Sequence, residues 1–290
     1  PSPQDEATLN PGAAAGNMSN RLRVAAMGDI MLAREVGLHY RASPADFAMP
    51  DVREFLSGAQ LVIGNLENPV AIGGRPDPVQ DPNITFRAAP ATLDVLKGIG
   101  INAVALGNNH MLDFGDEALI ETIEHLDRAG IGHVGAGRNY DEANAPLLLE
   151  YGGRRVAVLS YAFIYSVNTR MATRSKPGIA DHRIDRILPR IRHLTNSGYD
   201  VIVTLHWGFE YRFFPLPYQM RQARSMIDEG ARLVLGHGPH YPQEIETYRG
   251  REIVYSMGNF IFDEPFKFAK RSFIYDAEID ESGTTRNRRI

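Results

Sequence analysis

The 290-residue chain is 43% hydrophobic and 23% charged, with a formal net charge of −4. That is the balance of an ordinary globular protein large enough to bury a sizeable core, and it makes no general electrostatic case for nucleic acid or an anionic membrane. With no cysteine, disulfides, thiolate metal ligands and thiol nucleophiles are excluded.

Residues 1–17 are rich in Pro, Ala and Gly and lack the basic start and apolar centre of a signal peptide. They read as a linker or expression leftover, and a single domain is expected over 18–290. Met18 reads as a native start three or four residues before the first strand, which points to the cytoplasm. No stretch approaches the roughly 20 apolar residues that span a bilayer.

In chain order, 22–27 is a short apolar run ending in Gly28-Asp29. A helix or loop over 30–40 would turn Arg34 toward the site, and 44–57 is expected to be one helix. The run 61–63 stops at Gly64-Asn65-Leu66-Glu67. If the strand continues, Asn65 and Glu67, two apart, face one side. Residues 69–90, punctuated by Gly and Pro, form a long loop of the kind that is functional or mobile. Its end, 85–88, is strand-like and could bring Arg87 near the pocket. A helix over 91–97, ended by Gly98 and Gly100, precedes the run 103–106, which stops at Gly107-Asn108-Asn109-His110. Leu119, Ile120, Ile123 and Leu126 give 116–129 one apolar helical face. A short strand follows at 133–137, and 147–151 pairs with 154–161 as a hairpin.

Residues 163–183 form a second irregular region. A helix is expected over 184–196 despite Pro189. Three more apolar runs follow: 200–205 meets His206-Trp207-Gly208, 233–235 meets Gly236-His237-Gly238-Pro239-His240, and 253–255 meets Ser256-Met257-Gly258-Asn259. Between them lie a helix over 218–228 and a hairpin over 245–255. A last strand, 272–279, has no obvious partner. Alternating helices and strands, with hairpins among them, predict an α/β protein of two packed mixed sheets flanked by helices.

Six strand ends thus present Asp29, Asn65, Glu67, Asn109, His110, His206, His237, His240 and Asn259. In open α/β sheets, ligands bind at the carboxyl ends of strands. Each polar residue alone has a plainer explanation: Asp29 as a turn cap, Glu67 as part of a turn before Pro69, and Glu210 as surface. Trp207, Tyr211, Phe213 and Phe214 suit a substrate wall or simply the core. Imidazole is both a common metal ligand and the side chain suited to proton transfer near neutral pH.

The motifs Gly28-Asp29, Asn65-Leu66-Glu67, Asn108-Asn109-His110 with Asp113, His206-Trp207-Gly208, Gly236-His237-Gly238-Pro239-His240 and Gly258-Asn259 resemble the CapA family of poly-γ-glutamate capsule synthesis proteins, within the calcineurin-like metallophosphoesterase superfamily. The resemblance spans roughly residues 22–263. It implies a four-layer αββα sandwich, with Asp29, Glu67, Asn109, His206, His237 and His240 at metal-ligand positions and His110 as general acid. The usual Asp-x-His start is here Asp29-Ile30-Met31, and the usual Gly-Asp-x-x-Asp is Gly64-Asn65-Leu66-Glu67. Gly238 stands where relatives commonly carry a third histidine. One or two divalent cations (Mn, Fe or Zn), or none, and no organic cofactor are expected.

Asp29, Glu67, His110, His206 and His237 also suffice for metal-free acid/base work on a peptide Cα. Arg34 or Arg87 would hold a carboxylate, and Asn65, Trp207, Glu210 and Asn259 would line the substrate. The leading expectation is therefore an enzyme acting on a ribosomal peptide or polyglutamate by Cα epimerisation. The alternatives are metal-dependent phosphoester hydrolysis and a non-catalytic part in capsule synthesis.

Overall fold

The computed structural model describes residues 21–164 and 166–280 together with the backbone of 285–289; the 1–17 expectation lies outside them. The first half contains β1 (Leu22–Ile30), α1 (Arg34–Ala42), α2 (Pro50–Leu56), β2 (Leu61–Leu66), α3 (Leu93–Ile99), β3 (Ala103–Ala105), α4 (Gly115–Ala129) and β4 (Gly132–Val134). Next come β5 (Ala136–Gly137), α5 (Tyr140–Asn144), β6 (Leu147–Tyr151), β7 (Arg154–Ala162), β8 (Gly178–Ile179) and α6 (Ile184–Asn196). The chain closes with β9 (Asp200–His206), α7 (Pro217–Asp228), β10 (Leu233–His237), β11 (Ile245–Tyr248), β12 (Arg251–Val254), β13 (Asn259–Ile261), β14 (Tyr275–Ile279) and β15 (Thr285–Arg289).

Two mixed sheets result. One runs β15-β14-β1-β2-β3-β4, with β13 also paired to β1, and the other runs β11-β12-β10-β9-β7-β6. Within each, the central strands are parallel. Their polar termini therefore collect at one end of each sheet.

Three hydrophobic clusters hold this together. Val24, Ala26 and Ile63 of the first sheet meet Val158, Ile202 and Leu235 of the second. The other face of the first sheet packs on α3 and α4, where Leu96, Leu119, Ile123 and Leu126 are buried. The other face of the second packs on α6 and α7 through Ile187, Ile191, Ala223 and Met226. Each large aliphatic side chain buried this way contributes about 1.5–3 kcal/mol. Helical spacing in α4 and short β-branched runs in the strands sufficed to foresee both faces.

Several boundaries differ from expectation for identifiable reasons. The helix expected over 44–57 is a 3₁₀ turn, Pro44–Phe47, then α2, because Pro50 can start a helix but not continue one. Met49, at φ +40°, makes the break. The strand expected over 133–137 splits at Gly135, φ +99°, and its second part pairs with β8 instead. The strand at 275–279 does have partners, β1 on one side and β15 on the other. Pro189 sits inside α6 without ending it.

One crossing decides where the site forms. After β12 the chain leaves the second sheet, and β13 joins the first beside β1, with Asp29 opposite Asn259. Gly28 and Gly258 make that approach feasible: the Asp29 amide donates to the Gly258 carbonyl at 2.8 Å, and a methyl on Gly28 would lie 1.8 Å from that oxygen. Gly28→Ala is therefore expected to destabilise the fold by about 1–3 kcal/mol through overpacking, measured by denaturant unfolding. An unchanged midpoint would contradict the crossing.

Candidate metal centre

The first sheet delivers Asp29 at the end of β1, Glu67 just past β2, and Asn109 and His110 just past β3. The second delivers His206 and His237, opposite each other at the ends of β9 and β10, and then His240. The Gly-Pro turn leaves His240 at φ +56°, a conformation unusual for a side chain that is not glycine. Buried polar atoms join the two groups. Asn65 Nδ2 donates to Asp29 Oδ1 at 2.8 Å and approaches His206 Nδ1 at 3.2 Å. His237 Nδ1 lies 3.4 Å from Asp29 Oδ1, and His240 Nδ1 lies 3.2 Å from Asp29 Oδ2.

At the centre is Glu67 Oε1, buried and without a hydrogen-bond donor among the described residues. It faces Nε2 of His110, His206 and His240 at 3.8, 3.8 and 3.6 Å. Donor atoms bound to one first-row cation at 2.0–2.2 Å stand about 3–3.6 Å from one another; the His240 distance falls at that limit, and all three are longer than a direct hydrogen bond. Asn109 Oδ1 and His237 Nδ1 are also buried without partners. Asp29, Glu67 and His240 by themselves form a cluster able to hold one divalent cation. Carboxylate oxygen with imidazole nitrogen is a donor set suited to Mn, Fe or Zn.

Burial shapes the electrostatics. Desolvation pushes the Glu67 carboxyl well above its ordinary value; His240 opposes this, while Asp29, Glu210 and Asp113 add to it. Burial also acts against ionisation of Asp29, yet contacts and charges from His237 and His240 hold its carboxyl well below the usual range. His206 is lowered to about 3 by burial and by the neighbouring imidazoles, against the pull of Asp29. His240 is raised to about 10: burial would lower it, but Glu67, Asp29 and Glu210 prevail. A cation in this cluster would take the place of protons.

His110 is held on its far side. Its Nδ1 meets Asp113 Oδ2 at 2.9 Å, and its ring stacks on Phe86 with centroids 4.4 Å apart. Asp113 also accepts from the Phe86 amide, Gln80 and Asn168. Both irregular regions, 69–90 and 163–183, are thus tied to the residue that orients His110. Sequence reasoning places Asp113 in a motif without giving it a role of its own; a carboxylate three residues after the histidine was the signal.

The expected substrate-lining residues fare differently. Trp207 is fully buried, donates to the Tyr255 carbonyl at 3.0 Å and stacks on Tyr255, so it is core. Asn65 is enclosed by Asp29, Glu67, His206 and Asn108, which leaves no amide group for a substrate. Asn259 Oδ1 meets His240 Nδ1 at 2.8 Å while its Nδ2 donates to the Ala269 carbonyl; it orients the His240 ring. Arg87 donates to the carbonyls of Ile72 and Gly73 and lies over Phe114, clipping the 69–90 loop. Arg34 is paired with Asp263 and lies over Phe86 and Phe262, the rings that border His110 and His240. Each guanidinium is engaged by acceptors outside the cluster: Asp263 and the Asn83 carbonyl for Arg34, loop carbonyls for Arg87. Glu210 is exposed and acts on Glu67 and His240 by charge. Met31, where the superfamily has histidine, is buried and accepts from the Ala33 amide through Sδ.

Residues 23–264 match the family described as bacterial capsule synthesis protein PGA_cap. The chain belongs to that family. It is 31% identical over 271 residues to the capsule biosynthesis protein CapA of Bacillus anthracis, covering 92% of this chain and 66% of that protein. It is 29% identical over 261 residues to the PGA biosynthesis protein CapA of Bacillus subtilis, covering 90% and 68%. The chain thus spans about two thirds of the length of these family members.

Among solved structures, a hypothetical protein from Thermus thermophilus superposes with a TM-score of 0.53 at 20% identity, over 93% of this chain and 98% of that one. The NAD nucleotidase of Haemophilus influenzae gives 0.54 at 11% identity, over 93% and 49%. These likenesses show a shared α/β fold. Among the described residues, no helix is long and apolar enough to cross a membrane.

Because Asn259 fixes the His240 ring, Asn259→Ala is expected to weaken Zn or Mn binding by about 10–100-fold, measured by chelator competition. Unchanged affinity would show that His240 needs no such support.

Proposed function

We propose that the protein is a metal-dependent phosphoester hydrolase built on the four-layer αββα arrangement. The carrying observation is the gathering of buried donors from both sheets, with Glu67 Oε1 3.8 Å from His206 Nε2 and 3.6 Å from His240 Nε2, and with Asp29, Glu67 and His240 close enough to share one ion. Asp29, Glu67, Asn109, His206, His237 and His240 would hold the cation. Bound there, a divalent ion supplies Lewis-acid polarisation of a phosphoryl oxygen and acidifies a water. Asn65 turns its amide donor toward Asp29 and Glu67, where a bridging carboxylate would serve a second cation, and Met31 adds no imidazole. Both features support a one-cation centre.

The remaining work belongs to the side chains. Asp113 accepts from His110 Nδ1, fixing the ring so that Nε2 faces the centre. From there an imidazolium can give its proton to the leaving oxygen. Phe86 covers the His110 ring and limits the water reaching it, which strengthens each electrostatic contact inside.

Cα epimerisation is less well supported. It needs a base on each face of a tetrahedral carbon, whereas His110, His206 and His240 all crowd one carboxylate oxygen within 3.8 Å. The relatives' names in capsule and PGA biosynthesis make a peptide-type or polyglutamate substrate the second reading. Solvent deuterium incorporated into such a peptide would revive it.

Purified protein is expected to carry close to one Mn, Fe or Zn per chain and to hydrolyse 4-nitrophenyl phosphate. Chelation should abolish turnover, and added metal should restore it. His110→Ala should lower turnover by about 10²–10⁴-fold with metal content unchanged. Ester hydrolysis indifferent to chelator, or no hydrolysis by metal-loaded protein, would refute the proposal.

A further inference from the structure

We propose that Tyr211, Phe266 and Phe268 form a ring-binding wall beside the metal centre, so that the preferred ester carries a planar aromatic group. This rests on the phosphoester reading of the site the wall borders.

Phe213, Phe266 and Phe268 are 51%, 49% and 39% exposed, yet they cluster. Phe266 and Phe268 are stacked at 18° with centroids 5.6 Å apart. Tyr211 stands at 80° to the first and 83° to the second, 5.3 and 5.6 Å away. The result is a corner: one ring face set at right angles to two near-parallel rings. Phe213 and Tyr241 extend it outward. Exposed, contiguous aromatic surface of this kind marks binding sites rather than ordinary surface. A flat ring can stack on one member of the corner while presenting its edge to another, the two arrangements aromatic pairs favour.

Position ties the wall to the chemistry. The Tyr211 ring lies 6.2 Å from the His240 ring. Three restraints hold Tyr211 there: a backbone at φ +60°, its amide bonded to the Pro239 carbonyl at 2.8 Å, and its hydroxyl donating to Glu264 at 3.1 Å. The Phe266–Ala269 segment is fastened to the centre as well, since Asn259 donates to the Ala269 carbonyl at 3.3 Å while meeting His240 with its other amide atom. A single amide thus connects a metal-ligand position with the wall.

Charge complements the rings. Arg212, Lys267, Lys270 and Arg271 are exposed on the same two segments, although the protein as a whole is acidic at −4. Glu210, Asp263 and Glu264 lie on the same segments, so the four cations leave a small local excess of positive charge that favours an anionic ester with a flat group over a neutral apolar partner.

The wall and the hydrolase reading are tested separately with metal-loaded protein. For the wall, calorimetry compares two non-hydrolysable probes of matched bulk, 2-phenylethylphosphonate and 2-cyclohexylethylphosphonate. The phenyl probe is expected to bind about tenfold more tightly. In Phe268→Leu, and more fully in the Phe266→Leu/Phe268→Leu double variant, that preference should collapse while cyclohexyl binding stays as it was. Both side chains are partly exposed, so an unchanged melting temperature serves as the folding control. Equal binding of the two probes, binding of neither, or a preference that survives both variants would overturn the wall. Turnover of 2-phenylethyl phosphate reads the hydrolase reading: ring-selective binding without turnover removes the hydrolase alone, and turnover without ring selectivity removes the wall alone.

Discussion

A carboxylate that is completely buried and lacks a hydrogen-bond donor is the constraint around which this molecule is arranged. Glu67 Oε1 sits among three imidazole nitrogens at 3.6–3.8 Å, too far for good hydrogen bonds, and with Asp29 and His240 it is close enough to share an ion. Burying a charge in such a place is costly unless it is matched by other charges. His240, raised to about 10, supplies part of the match, Asp29 beside it adds to the cost, and a cation would complete the balance.

That cluster needs both sheets at once. Parallel central strands bring Asp29 and Asn65 to one edge and His206 and His237 to the other, and the hydrophobic layer between the sheets holds the two edges together. The β12-to-β13 crossing then carries Asn259 from the second sheet to the first, where Gly28 and Gly258 leave no room for a side chain. Catalysis by the site would therefore depend on sheet packing as directly as on the ligands. The aromatic corner depends on the same crossing, because its 266–269 segment hangs from Asn259.

That the strand-end residues would gather was legible because each closes a short apolar run, and a run that ends in glycine and then histidine, aspartate or asparagine has few reasons to do so in a core. Asn65 with Glu67 and the His237/His240 pair followed from spacing alone. The substrate-lining roles were not readable in that way. Trp207 lies in the same motif as His206, but its side chain turns into the core against Tyr255. Arg34 and Arg87 found nearer acceptors in Asp263 and in the loop carbonyls. Long polar side chains settle on whatever partner the tertiary structure brings closest, and residue type does not reveal that partner.

By itself, the sequence determined the strand and helix alternation, the absence of cysteine chemistry, and which residues stand at the strand ends, since these depend on periodicity and turn chemistry along the chain. Only the tertiary structure decided that those ends meet around Glu67, that Asp113 pairs with His110, and that Asn65 and Asn259 bond to Asp29 and His240. Contacts between residues far apart along the chain are set by how two sheets pack and where the chain crosses between them, and no local pattern encodes that distance.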